Sequence, residues 1–210
     1  MEKRTFKHCT LAFLEEKLGL EQTDTLVSLS DWLLNPTDLT DDERLIVSHY
    51  RKLLTFNLHS WNEQELSLHF IGPLFGLIDF SSKKANLFAE RSISAIIQDI
   101  ELSGEPDGMI ASGFRVPHKP FFAFHEYKKE VDADGHPTAQ TLAAMVVGQA
   151  INEDNLPMYG CYVIGQNWYF MSLEGNKYAI SGSYSAVQED IWEIVGILKQ
   201  LKKMVYDRVN

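Results

Sequence analysis

Apolar residues recur at helical spacing through the first third of the chain. Residues 6–18 form an amphipathic stretch that stops near Gly19. Residues 24–34 carry Leu26, Leu29, Trp32 and Leu33 on one face and end before Asn35-Pro36, where proline forbids a continued helix. Thr40 is followed three residues later by Glu43, a capping-box spacing that opens a helix through about residue 56. Trp61-Asn62-Glu63 opens a further helix towards residue 75, with Leu66, Phe70, Ile71, Leu74 and Leu77 as its apolar positions and Pro73 tolerated late. At about 100° per residue, Glu63 projects near the middle of that apolar face and Glu65 almost opposite.

From about residue 90 the period changes to two. Ile93, Ala95 and Ile97 alternate with Ser92, Ser94 and Gln98, and residues 100–102 continue the strand pattern. Residues 109–111 form a short strand, residues 113–119 a turn rich in glycine and proline, and residues 121–127 a strand with phenylalanines on both faces. Such a strand is central and covered on both sides. A polar loop over 131–137 leads into a helix over 139–151. Residues 159–164, 168–173 and 177–183 read as a β-meander with turns at Gly165 and Gly175. Residues 190–208 close the chain as a helix with Ile191, Ile194, Ile197, Leu198, Leu201 and Val205 inward. The order predicts an α/β (α+β) fold on one central mixed sheet flanked by helices. Residues 1–57 read as a helical N-terminal extension and residues 58–210 as the core.

Composition narrows the function classes. Hydrophobic residues make up 45% of 210, enough for a sizeable core, and the net charge of −10 argues against binding by bulk attraction to phosphate or anionic membranes. A local basic strip can still act where the average is acidic. Lys83, Lys84, Arg91, Arg115, His118 and Lys119 are the nearest approach to one around the stretch from Glu105 to Lys128, with scattered surface charge as at least an equal reading. Two cysteines without near partners suggest neither a zinc ribbon nor a disulfide framework. No apolar run reaches the roughly 18 residues of a membrane span. A soluble, cytoplasmic protein is expected.

The candidate chemistry lies between Glu105 and Lys128. In a strand, Glu126 and Lys128 project to one face and Tyr127 to the other. Asp107 sits where one strand breaks before the next, a natural place to meet them. Mg²⁺ takes oxygen ligands, usually one or two carboxylates with waters and substrate phosphate. Asp107, Glu126 and the backbone carbonyl of Tyr127 can supply three, and Lys128 can orient a water beside them. A carboxylate aimed at a core needs a partner or a metal, which singles out Glu63 over Glu65. Glu63 also reads as an ordinary first-turn acid if the helix begins after it.

Glu105-Pro106-Asp107 followed by Glu126-Tyr127-Lys128 resembles the signature of the PD-(D/E)XK nuclease superfamily, the restriction-endonuclease-like fold. In that superfamily a helix before the first core strand often carries an acid, a place that Glu63 matches, and the helix after the Glu-x-Lys strand often carries a glutamine near its start, a place that Gln140 matches. The similarity covers roughly residues 58–185. It implies a metal-dependent nuclease, with Mg²⁺ or Mn²⁺ held by Glu63, Asp107, Glu126 and Tyr127, Lys128 serving the water and Gln140 the neighbourhood. It implies nucleic acid as partner, DNA before RNA, and allows a homodimer. Some members have lost catalysis, so a silent module binding nucleic acid or protein is the alternative. Among the neighbours, Gln140 also reads as a core-edge glutamine, His125 as a packed and hydrogen-bonded residue, Glu105 and Lys129 as solvated charges, and Trp168, Tyr169 and Phe170 as sheet packing.

Overall fold

The strand-like segments build two sheets rather than the expected one. The computed structural model describes residues 1–129 and 136–209, so residues 131–135 of the expected polar loop lie outside the described residues. The N-terminal third is not helix throughout. It opens with strand β1 (Glu2–Thr5) and a 3₁₀ turn at Phe6–His8 before helix α1 (Leu11–Leu18). The break falls where the Thr10 hydroxyl accepts the Phe13 N–H and starts a new helix. Strand β2 (Glu21–Gln22) and helices α2 (Val27–Leu34) and α3 (Asp41–Asn57) follow. The expected capping box at α3 is formed, with Thr40 and Glu43 each satisfying the other's N–H. Helix α2 begins without a capping side chain of its own, and Glu174, from a distant strand, accepts its Ser28 N–H at 3.0 Å.

The next helical run is interrupted in pitch rather than direction. Helix α4 (Glu63–Leu66) passes through a π-helical stretch (Ser67–Ile71) into α5 (Gly72–Ile78). Pro73 falls in the first turn of α5, where a missing donor is tolerated, and Leu66, Phe70, Ile71 and Leu74 are all buried.

Strands β3 (Ala85–Ala89), β4 (Ile93–Ile97), β5 (Ile100–Gly104), β6 (Gly108–Ser112) and β7 (His118–Lys128) come next, then helix α6 (Pro137–Asn152). The chain continues through β8 (Met158–Ile164), β9 (Asn167–Glu174), β10 (Lys177–Ile180) and β11 (Tyr184–Ser185) to helix α7 (Ile191–Val209). The large sheet has the order β2-β10-β9-β8-β7-β6-β3, with β11 paired to β9. β7 and β8 are parallel and joined by α6, while β8, β9 and β10 form the expected antiparallel meander. The correction concerns β4 and β5. They form a separate three-stranded sheet with β1, in the order β1-β5-β4. Their hairpin turns through Gln98 and Asp99, both at positive φ, the type I′ geometry that matches strand twist.

The central place read for β7 is observed, with strands on either side of it. Phe122 joins a core formed with α2, α3, α5 and α7, and Phe124 joins a second core with α1, α6 and the small sheet. The fold is thus mixed α/β, a large sheet covered by helices on both faces. No described helix is long and apolar enough to cross a membrane.

Candidate active site

The site exists because β7 outruns β6. Pairing between them begins with Gly108 opposite His125, so residues 126–128 continue past the end of β6 with no strand on that side. A backbone N–H left there needs an acceptor. Asp107, the residue just before β6, supplies it: its Oδ2 accepts the Tyr127 N–H at 2.7 Å. The N–H and C=O of one strand residue project to the same side. The Tyr127 carbonyl is therefore directed into the same gap, beside Asp107.

Glu126 projects to the α6 face of the sheet and is only 3% exposed. The Asp107 carboxyl stands next to it, close enough to raise its pKa. Burial, then the adjacent Asp107, with a small contribution from Glu63, push Glu126 up to about 9 against the opposing pull of Lys128. Lys128 lies beside it, its ammonium donating to Glu63 Oε1 at 3.0 Å. Burial alone would lower the Lys128 pKa, but the hydrogen bond and charge of Glu63, with Asp107 and Glu126 behind, outweigh it and raise the ammonium above its ordinary value. Gln140, near the start of α6, is buried and lines the same cleft.

All five candidate side chains therefore converge, with one difference from expectation. Glu63 is not sunk in the apolar face of its helix. It stands in the first turn of a new helix capped by Asn62, its side chain 48% exposed, and joins the site through Lys128. Glu65 completes the capping box with Asn62 instead. The break at the start of α4 brings a first-turn acid to the end of β7, which a phase count along an unbroken helix does not capture.

The cleft holds about 590 Å³, and its second wall is absent from the sequence reading. Thr5 and Lys7 come from the N-terminal segment, Ser92, Ser94 and Ser103 from the small sheet and its approach. The alternating serines of β4 mark a polar strand face, but nothing local says which sheet that face will look across to. Glu105 borders the cleft and accepts a short hydrogen bond from Ser92.

The basic strip is misplaced by the sequence reading. Ala85 pairs with Ser112 and Ser112 with His118, so Lys83, Lys84, Arg115, His118 and Lys119 gather at the start of β7, the end remote from Glu126. At about 3.3 Å per residue, the two ends are ~26 Å apart. Only Arg91, just beyond the Ala89–Gly108 pair, is at the site end.

His125 faces the other way from Glu126, as a packed residue. It is fully buried, stacked on Phe75 with ring centroids 4.6 Å apart, and bonded to the Tyr127 hydroxyl through a short contact. Burial lowers its pKa to about 3. Trp168 and Phe170 are core residues, and Tyr169 stacks on Tyr162. Gly108 is required by His125: a Cβ there would stand 1.8 Å from Cε1 and 2.0 Å from Nε2 of the ring. Held between Phe75 and Tyr127, the ring cannot yield. Gly108→Ala is expected to lower stability by at least the ~1–3 kcal/mol of an overpacked core, read as a fall in the urea midpoint with unchanged slope.

Among the described residues, no group of three or more His, Cys, Asp or Glu side chains is placed to hold a metal. The donor set nevertheless fits a cation that takes few protein ligands. A buried carboxyl beside a second one is held in its neutral form, and a cation can take the place of its proton. Asp107, Glu126 and the Tyr127 carbonyl would offer three oxygens, leaving the remaining positions of a Mg²⁺ octahedron to water and phosphate. Glu63 is engaged by Lys128 and stands behind it. Comparison of the chain with protein-family models gives no match, and comparison with curated proteins gives none either.

Proposed function

We propose that this protein is a Mg²⁺- or Mn²⁺-dependent nuclease that hydrolyses phosphodiester bonds of DNA, with RNA as the second choice, and that it acts through a PD-(D/E)XK-type site. The observation that carries the reading is the adjacent Asp107 and Glu126 carboxyls with Lys128 and its partner Glu63 beside them, in an open cleft. The cation, held by Asp107, Glu126 and the Tyr127 carbonyl, would neutralise phosphate charge and acidify a water. Lys128 holds and orients that water through its ammonium protons, and Glu63 keeps the ammonium charged and aimed. Gln140 lends an amide to the floor of the cleft. Cytoplasmic action agrees with two cysteines that are free and buried.

One observation favours a second reading, a silent module of the same fold. The Lys128 ammonium is already committed to Glu63. That pair is partly exposed, however, and pairs of this kind contribute about 0–1 kcal/mol, so a phosphate can displace it cheaply. Purified protein incubated with single- and double-stranded DNA and RNA plus Mg²⁺ or Mn²⁺ separates the two readings. The nuclease reading expects cleavage that falls at least about a hundredfold in Lys128→Ala, the scale of a lost proton-handling group. Cleavage that is absent with every substrate, or unchanged in the variant, sinks it.

A further inference from the structure

The far end of the sheet carries a surface that the cleft does not use. The β6–β7 hairpin tip presents Phe114 at 64% exposure and Val116 at 58%, with Arg115 between them. Beside it lies the turn carrying Lys83 and Lys84. The two loops are stitched together. The buried Asn86 amide donates to Ser82 O and to Gly113 O, both at 2.7 Å, and the Gly113 N–H donates to Lys84 O at 2.9 Å. Gly113 permits this closure. Its φ is +108°, and a Cβ would stand 2.2 Å from the Val116 carbonyl oxygen. The tip is thus a built platform.

Its own segments are cationic, with Asp79 at the foot of the Lys83–Lys84 turn, where it accepts the Ser81 N–H. Residues 80–89 and 108–125 contain no Asp or Glu, although the chain has 29 of them and a net charge of −10. Lys83, Lys84, Arg115, His118 and Lys119 collect there. Lys119 reaches Glu153 at 3.3 Å, but both groups are well exposed and such a pair holds its partners weakly. A local cationic field on an acidic protein selects a polyanion and repels little of it at that end.

From this platform we infer that the β6–β7 tip is a second anchoring surface for single-stranded nucleic acid, with a base stacked on Phe114 and phosphates on Lys83, Arg115 and Lys119. That the strand is the one to be cut rests on the nuclease reading above. One exposed ring suffices for a stacking platform, whereas a membrane surface needs a broader apolar face than one ring and one isopropyl group. The ~26 Å along β7 from the foot of the tip to the cleft, together with the few tip residues beyond it, lies within the reach of a strand of the roughly 4–16 nucleotides that such surfaces cover.

The test uses the 210-residue chain carrying Asp107→Asn, so that strands stay intact, and a labelled single strand of about 20 nucleotides read by anisotropy. Phe114→Ala is expected to weaken binding about tenfold. Lys83→Glu with Arg115→Glu is expected to weaken it further and to flatten log Kd against log salt by about 0.7 per cation removed. In the chain with Asp107 intact, the tip variants should leave cleavage of bis(p-nitrophenyl) phosphate unchanged, because that ester is too small to reach the tip. Unchanged strand affinity and salt slope overturn the proposal. So does a loss confined to phosphatidylserine vesicles, which would make the tip a membrane surface. Tip-dependent strand binding in a protein that cleaves nothing supports the surface and overturns the nuclease reading.

Discussion

Asp107→Asn is expected to abolish divalent-ion binding and to reduce phosphodiester cleavage by about a thousandfold or more, since a lost metal contribution of several kcal/mol is worth a factor of ten per ~1.4 kcal/mol. Asparagine is the informative replacement. Asp107 does two things: its Oδ2 accepts the Tyr127 N–H at 2.7 Å, and its charge sits against Glu126. The amide oxygen can keep the first and cannot supply the second. Asp107→Ala loses both, and leaving a buried N–H without its acceptor costs a further ~1–3 kcal/mol of stability. Calorimetric titration with Mg²⁺ and Mn²⁺, paired with urea denaturation, therefore separates charge from scaffold. A fully folded Asn variant that still binds the ion and still cleaves would remove Asp107 from the proposed site.

Glu126→Gln should make the protein more stable while making it inactive. The folded chain keeps a proton on Glu126 up to about pH 9. The unfolded chain releases it near ~4.3. Between those values the folded state holds the extra proton, so stability falls as pH rises, by at most ~1.4 kcal/mol per unit. Glu126 costs nothing in charge below about pH 4, and its neutral form ceases to favour the fold once pH passes about 9. Glutamine has no proton to lose and flattens this window. Urea midpoints at pH 5, 7 and 9 should converge in the variant and spread in the parent. Mg²⁺ should separate the two: at a hundredfold excess over Kd it adds ~2.7 kcal/mol to the parent and nothing to the variant. Parallel pH profiles in the two proteins would show that burial at Glu126 does not hold the proton.

The two predictions share a cause, which is that the proposed function would oppose stability at this spot. A buried carboxyl beside another carboxylate is a poor choice for a core. Glutamine at 126 would keep the α6 face of β7 polar at no electrostatic cost. The carboxyl is accounted for if a cation replaces its proton.

Much of this was legible before any fold was known, for reasons that can be named residue by residue. Strand periodicity alone puts Glu126 and Lys128 on one face. The phenylalanines on both sides of 121–127 mark β7 as central. Thr40 and Glu43 mark the start of α3, and the Pro-Asp-Gly step places Asp107 where a strand begins. These signals are local: they depend on backbone period, capping and turn chemistry within a few residues. Other features depend on long-range pairing. Nothing near Ser92, Ser94 or Ser103 says that β4 and β5 leave the main sheet for β1, and so nothing says that Thr5 and Lys7 wall the cleft. Glu63 is exposed because α4 starts at Asn62 and the π-stretch shifts phase after it, and its partner lies 65 residues away. The basic residues near the proposed site in sequence are at the remote end in space, because β7 is eleven residues long and they sit at its start.

The sequence by itself determined the longer helices, the strands β7 to β10 and the residue types at the cleft end of β7, since hydrophobic period and side-chain chemistry are written position by position; the short strands β1, β2, β3 and β11 came only with their partners. Only the tertiary structure decided that Asp107 caps the overhang of β7 and meets Glu126, that Lys128 finds Glu63, and that Lys83 and Arg115 share a tip with Phe114. Each of those meetings is set by where one strand stops pairing with its neighbour, and strand ends are decided by register between segments far apart in the chain.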